Sequence, residues 1–335
     1  MRPFFLHAIG HFHPENVIDN AFLESLDIGT NHQWIVDRVG IESRRTVLPL
    51  DYIRQTRNVD LRAGEEAALY DTAETGARAA KMALERAGLQ PSDITMVVAG
   101  GCAPGMQIPA DACRIASQLG IEAPCVDINS ACSSFGAHAH LIGQMAQSPE
   151  FGGYVLSVQP ENTTRVVNYT DRSSCVLWGD GTTAAIYSGQ HASRILVEDT
   201  LLDSNPAGWK SVVIGNFGHF SQEGSLVQRF AIKTSLGCLE PMLARARAQI
   251  AQRGRGRVRF IGHQANLTML ESVARRAQIT DDEHWHNIVN YGNTGAAGAP
   301  SVLSQHWDDL QSGDEIVLVV VGSGLSWASA RFSVR

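Results

Sequence analysis

Three side chains far apart in the sequence could do chemistry together: Cys132 in DINSACSSFG, His263 in FIGHQAN and Asn293 in NYGNTGAAG. A thiol can be a nucleophile, an imidazole can move a proton or donate a hydrogen bond, and a carboxamide can hold a developing negative oxygen. Cys132 follows a strand-like run and opens a helix-like one, so the helix dipole and its unpaired amides favour thiolate with no neighbouring base. His263 and Asn293 also stand where a strand gives way to a helix, the place where α/β proteins bind ligands. Each has a plainer reading: a buried cysteine packed by small residues, a satisfied core histidine, an asparagine turn. The order Cys, His, Asn also matches papain-like proteases. Those carry the cysteine near the mature N-terminus of a secreted, disulfide-bearing chain, whereas here it lies 132 residues in.

The elements that must position these groups alternate. Strand-like runs are ITMVVAGG (94–101), PCVDINS (124–130), GYVLSVQ (153–159), SCVLWGD (174–180), VRFIGH (258–263), NIVNYG (287–292) and EIVLVVVG (315–322). Helix-period segments fall at 73–88, 111–119, 236–252 and 265–277, the first closed by a glycine. Alternation of this kind predicts α/β layers. The same order of pieces occurs twice, which predicts two similar halves, 1–187 and 188–335, with Cys132 and Asn293 on equivalent turns near the axis relating them. Small residues there would allow close packing. The stretch 49–72 breaks the alternation and reads as an excursion over the surface or across a dimer partner.

The chain has 335 residues, 44% of them hydrophobic and 18% charged, which describes a folded globular protein. A net charge of −7 argues against nucleic acid and anionic lipid as partners. Six cysteines without CxxC spacing predict reduced thiols, no zinc site and a cytoplasmic location, and no segment is apolar for long enough to span a membrane. RGRGRVR (253–259) reads as a turn leading into a strand, at most a patch for docking a carrier. HFH (11–13) has no third ligand at metal spacing, and GDG (179–181) fits a tight turn.

INSACSSF, LWGDGTTAAI, FIGHQAN, NYGNTGAAGAPSVL and VGSGLSWASA, in this order, resemble the landmarks of ketoacyl synthase III enzymes of the thiolase-like superfamily. TNHQWIVDRVGIESRR near the start is similar as well, so the likeness covers nearly the whole chain. It implies a duplicated five-layer α-β-α-β-α fold, a homodimer and a Claisen-type condensation between thioesters. By the same resemblance Cys132 accepts an acyl group from coenzyme A or acyl-carrier protein, and the amides of Cys132 and Ser323 form the oxyanion hole. His263 and Asn293 stabilise the enolate left when a malonyl-type extender loses carbon dioxide. Trp34 and Arg38 hold the nucleotide of coenzyme A, although TNHQWIVDR also fits an amphipathic helix with Trp34 in the core. Thioesters of coenzyme A or phosphopantetheine are substrates, and no metal or redox cofactor is implied.

Departures from the family pattern bear on substrate. Thr268, close after Asn266 in the segment expected to dock the carrier, replaces the usual arginine. Ile108 stands where an aromatic often closes the acyl pocket from the partner subunit, and the 49–72 excursion is longer than in the housekeeping enzyme. These point to a specialised ketosynthase, of the kind that builds dialkylresorcinol or related lipid-like products. Two alternatives stand beside it: transfer of the Cys132-bound acyl group to an alcohol, amine or water, and a non-catalytic partner subunit.

Overall fold

The nine strands of the central sheet, taken from a computed structural model that describes residues 2–335, are β1 (Phe5–Phe12), β2 (Ile94–Ala99), β3 (Cys125–Asp127), β4 (Tyr154–Glu161), β5 (Gly181–Ser188), β6 (Ile195–Ser204), β7 (Val258–Gly262), β8 (Glu315–Gly322) and β9 (Ser326–Val334). Helices are α1 (His32–Val39), α2 (Leu50–Thr56), α3 (Leu61–Ala67), α4 (Thr72–Ala87), α5 (Asp111–Leu119), α6 (Ser134–Met145), α7 (Gly224–Arg253), α8 (Leu267–Arg276) and α9 (Gly298–Gln305), with shorter turns between them.

The sheet runs β7-β8-β9-β6-β1-β5-β4-β2-β3. On one side of its middle, β1 pairs antiparallel with β5, β5 antiparallel with β4, β4 parallel with β2, and β2 parallel with β3. On the other, β6 pairs antiparallel with β9, β9 antiparallel with β8, and β8 parallel with β7; a single parallel bridge, Phe260 to His284, takes the place of a fifth strand. Strand-helix order repeats too: β1-α4-β2-α5-β3-α6-β4-β5 is followed by β6-α7-β7-α8-bridge-α9-β8-β9. Among the described residues two ladder pairs, Phe5 with Leu196 and Leu6 with Ile195, join the halves along the sheet.

Packing makes five layers. Helix α4 lies on β1 and β5 with α5 beside it, and α7 lies on β8 with α8 beside it. Between the halves run α6, touching β4, β6 and β9, and α9, touching β1, β5, β7 and β8. A helix covered on both sides has no polar face to offer, which explains why Ser134 to Ala139 are all buried. The outer helix α4 instead buries one alanine-rich face, including Ala73, Ala77, Ala80 and Ala83; Asp71 and Glu74 form its capping box, and Gly88 at φ +66° ends it.

Two runs expected as strands are not. SCVLWGD forms a short helix (Arg172–Cys175) and an irregular segment, with the strand beginning only at Gly181. There the buried Arg44 guanidinium takes the Val176 carbonyl, which removes that group from any ladder. NIVNYG forms a helix, Ile288–Tyr291, entered through Asn287, whose side chain donates to Ser301 and Gln305 of α9. SCVLWGD buries all its apolar residues and NIVNYG buries Ile288, and a short apolar run carries no period that separates strand from helix. The 49–72 excursion holds α2 and α3, pinned by buried Asn58, whose Nδ2 donates to the carbonyls of Thr164, Arg165 and Val167. Among the described residues no helix is long and apolar enough to cross a membrane.

Candidate active site

From β3 the chain enters a 3₁₀ turn, Ala131–Ser133, out of which α6 rises. Ala131 has φ +46°, a region that costs a residue with a Cβ on the order of 1–3 kcal/mol unless its surroundings hold it. The surrounding serines do so. Ser134 Oγ receives the Ser130 N–H at 2.9 Å and donates to the Ala131 carbonyl at 2.7 Å. Ser133 Oγ donates to the Ser130 carbonyl at 2.7 Å and lies 2.8 Å from the hydroxyls of both Ser130 and Ser326. Ser326 begins β9, so this clamp ties the Cys132 turn to the other half of the molecule. At the end of β8, a Cβ on Gly322 would sit 3.1 Å from the Cys132 nitrogen and 3.0 Å from that of Ser133, so any side chain there would press the Cys132 turn out of place by a few tenths of an ångström. Ser323 follows at once and lines the same cavity, its hydroxyl donating to the Val212 carbonyl at 2.5 Å.

His263 directly follows β7, and Asn293 sits on a parallel bridge with Trp178, its N–H donating to the Leu177 carbonyl at 2.8 Å. The Asn293 side-chain oxygen accepts the Gly295 N–H at 3.0 Å. With its acceptor end occupied, the carboxamide has its NH₂ free as a donor. The turn after it, Gly295–Ala297, touches the Cys132 turn. Cys132, His263 and Asn293 line one cavity of about 380 Å³, each only 6–7% exposed. Its walls are largely apolar, with Val176, Leu177, Phe220, Phe230, Met269 and Leu325 among them.

At the solvent end, Trp34 of α1 is partly exposed while its neighbour Ile35 takes the core position, so the reading with Trp34 in the core does not hold. Two guanidiniums flank the indole, Arg38 at 5.1 Å and Arg172 at 4.8 Å from the ring centre. Arg172 was not singled out from the sequence and lies just before the run misread as a strand.

The thiol is more supported than the sequence reading required. Cys132 Sγ lies 3.3 Å from Cys102 Sγ, and His263 lines the cavity with it. The Cys102 contact first, then His263, hold Cys132 well below the ordinary thiol range although burial opposes them. Cys102 is pushed well up by the same contact and by burial. Behind both, Glu161 at the end of β4 is fully buried and accepts N–H groups from Cys102 at 2.9 Å and Ala296 at 2.8 Å. Burial, followed by the nearby Cys132 charge, raises its carboxyl to about 8 despite these donors. Neither Cys102 nor Glu161 was singled out from sequence; both lie on segments that carry no motif when read alone.

The other expected residues fall elsewhere. Ile108 is 84% exposed in the loop before α5 and does not line the cavity of its own chain. Asn266 lines the cavity while capping α8, accepting the Met269 N–H at 2.8 Å. Thr268 Oγ1 donates to Asn266 Oδ1 at 2.8 Å and to the Arg38 carbonyl at 3.3 Å, fastening α8 to α1. Arg253 and Arg257 of the basic run pair with Glu315 and Asp314, while His11 bonds Ser304 Oγ at 2.8 Å and His13 stacks on Tyr291. Asp180 of GDG is buried, accepting the N–H groups of Val47 and Thr164 at 2.7 Å.

Two family models match: 3-oxoacyl-[acyl-carrier-protein] synthase III over residues 126–206, and its C-terminal part over 258–334. The β-ketoacyl-[acyl-carrier-protein] synthase III of Sulfurovum sp. (strain NBC37-1) is 32% identical, across 96% of this chain and 93% of its own. The crystal structure of 3-oxoacyl-[acyl-carrier-protein] synthase III from Aquifex aeolicus VF5 superposes with a TM-score of 0.83 at 25% identity, covering 98% of this chain and 99% of the other. The priming β-ketosynthase of the R1128 polyketide biosynthetic pathway shares the fold, with a TM-score of 0.81 at 23% identity over 99% and 97% of the two chains. The matched regions contain the Cys132 turn, the histidine and the asparagine that meet in the cavity, and this chain belongs to the ketoacyl synthase III family of Claisen-type condensing enzymes.

Proposed function

We propose that Cys132 attacks the thioester carbon of an acyl-coenzyme A or acyl-carrier protein, expelling the carrier thiolate and keeping the acyl group as a new thioester. The amides of Cys132 and Ser323 hold the tetrahedral oxyanion, fixed in place as charge develops. A malonyl-type extender then loses carbon dioxide, or a β-ketoacyl extender gives a proton to the carrier thiolate expelled in the first step, and donors on His263 and Asn293 hold the enolate oxygen. The enolate carbon attacks the acyl carbon, the C–S bond breaks, and the Cys132 thiolate is released. Every reacting group belongs to the two thioesters or to Cys132. The observation carrying this reading is that cysteine, histidine and asparagine line one apolar cavity. The free Asn293 NH₂ favours condensation over transfer to an alcohol or amine, which needs a base for the acceptor.

Trp34 and Arg172, with Arg38, suit a stacked adenine and a phosphate at the cavity mouth. A homodimer would cover the sheet edge at β3 and the exposed Met106, Ile108 and Val126 near it, placing Ile108 against the partner's acyl pocket. Free thiols suit a reducing cytoplasm. Acidic-carrier docking near Asn266 and Thr268 would use neighbouring arginines, since both side chains are occupied within the chain.

Intact mass after incubation with acyl-coenzyme A tests the reading. An acyl adduct is expected on the parent and none on Cys132→Ala, while His263→Ala keeps the adduct and loses malonyl decarboxylation. No adduct with any donor would leave the partner-subunit alternative. Products formed from acyl donors of increasing length with malonyl and β-ketoacyl acceptors test the specialised, dialkylresorcinol-type reading.

A further inference from the structure

Condensation by the steps above acylates one thiol, Cys132 on the cavity wall, yet a second stands directly behind it. Cys102 Sγ and Cys132 Sγ are 3.3 Å apart, and in acyl transfer the second sulfur forms no bond to the substrate. A disulfide spans about 2.05 Å, so the sulfurs need to approach by a little over 1 Å. The movement falls on Cys102. Cys132 is clamped by serines and Gly322, whereas Cys102 lies in the irregular stretch between β2 and α5. Cys132 opens onto the cavity, where a small oxidant can enter; Cys102 sits behind it, with Gly295 close enough that a Cβ there would lie 3.1 Å from its sulfur.

We propose that Cys102 and Cys132 form a redox couple, in which a peroxide-class oxidant joins the two sulfurs, closes the acyl-accepting site and protects the nucleophile from further oxidation. The Cys132 thiolate attacks one peroxide oxygen, the O–O bond breaks and hydroxide leaves, giving a sulfenic acid on Cys132. The Cys102 sulfur then attacks the Cys132 sulfur; the S–S bond forms, the S–O bond breaks, and the departing hydroxide takes the Cys102 proton as water. Two thiols and one hydrogen peroxide become one disulfide and two waters. The low-lying Cys132 thiol supplies the nucleophile for the first step. An acyl group on Cys132 blocks that step, so the working enzyme is shielded by its own intermediate.

The test uses the full chain and a small excess of hydrogen peroxide, read by intact mass, by mapping of cross-linked peptides and by acylation from acyl-coenzyme A before and after dithiothreitol. The parent is expected to become about 2 Da lighter, with the lost hydrogens mapped to the peptides carrying Cys102 and Cys132, and to recover acylation fully on reduction. Cys102→Ser, close in size, is expected to gain about 16 or 32 Da at Cys132 and to lose most of its recovery. A gain of oxygen in the parent, a disulfide mapped to any other pair of cysteines, or equal recovery in parent and variant would overturn the proposal. Mass and mapping do not depend on thioester chemistry, so a parent that forms the disulfide but never acylates would sink the proposed function and leave the redox couple standing.

Discussion

The two turns at the centre of the molecule occupy equivalent places in its halves, one before α6 and one before α9, yet they are held in opposite ways. The first puts a non-glycine residue, Ala131, at φ +46° and secures it with side-chain hydroxyls from its own half and from Ser326 of the other. The second puts glycines at the positive φ positions, Gly292 and Gly295, and is secured by backbone N–H groups donating to Asn293 and to Glu161. A nucleophile must present its sulfur at a fixed angle while a thioester forms and breaks, which a dense hydroxyl clamp provides. A donor must instead leave one N–H direction open, which capping its oxygen achieves. Under the proposed function, the first turn suits covalent chemistry and the second suits holding charge.

Breaking the second turn should separate the two roles most widely. Asn293→Ala removes a donor from the enolate oxygen and leaves Cys132 with Cys102 and His263 beside it. Condensation is expected to fall by about 10²–10³-fold, the scale for losing one oxyanion donor, while acylation of Cys132 changes little. Rapid-quench measurement of acyl-enzyme formation beside steady-state product formation checks this, and an equal loss in both would mean that the carboxamide serves the first step too.

What could be read in the sequence divides along the same line. Cys132, His263 and Asn293 each sit where an apolar run meets small residues, a pattern visible one segment at a time, and the repeat of those patterns exposed the paired halves. Cys102 and Glu161 were invisible because their importance is purely spatial: AGGCAPG and VQPENTT become a site only when β2 and β4 lie side by side in parallel. The strand expected at SCVLWGD failed for a related reason. Its apolar residues are buried as in a strand, but Arg44, from 132 residues earlier, claims the Val176 carbonyl. Long-range capture of a backbone group leaves no mark on local periodicity.

Glu161 links the two turns, since it accepts from Cys102 beside the first and from Ala296 within the second. Its carboxyl is raised from 4.5 to about 8, mainly by burial. A group raised on folding contributes its full stability below its unfolded value and loses it as pH climbs to the folded one. Stability should therefore decline between about pH 4.5 and 8 from this group alone. Glu161→Gln keeps an oxygen for the two N–H groups and cannot ionise, so denaturant midpoints of the variant should fall less across that window, with the gap widest near pH 8. Parallel curves for parent and variant would show that the carboxylate is stabilised by something other than the donors named here.

The first turn should yield least to a single change, because its clamp has several members. Ser133→Ala removes the hydroxyl that joins the Ser130 carbonyl, the Ser130 hydroxyl and the Ser326 hydroxyl. Ser326 keeps its bond to the Ser323 carbonyl at 2.8 Å, and Ser134 still bridges Ser130 N–H and the Ala131 carbonyl. Only the half-buried Ser130 hydroxyl loses its partner, so the stability loss should be about 1 kcal/mol, that of one net hydrogen bond. Acylation should slow more than this loss alone would suggest, since Cys132 is the adjacent residue and its angle depends on the turn. Urea unfolding compared with single-turnover acylation distinguishes the two effects, and a variant destabilised without slower acylation would assign the hydroxyl to folding and leave Ser134 and Gly322 to orient the nucleophile.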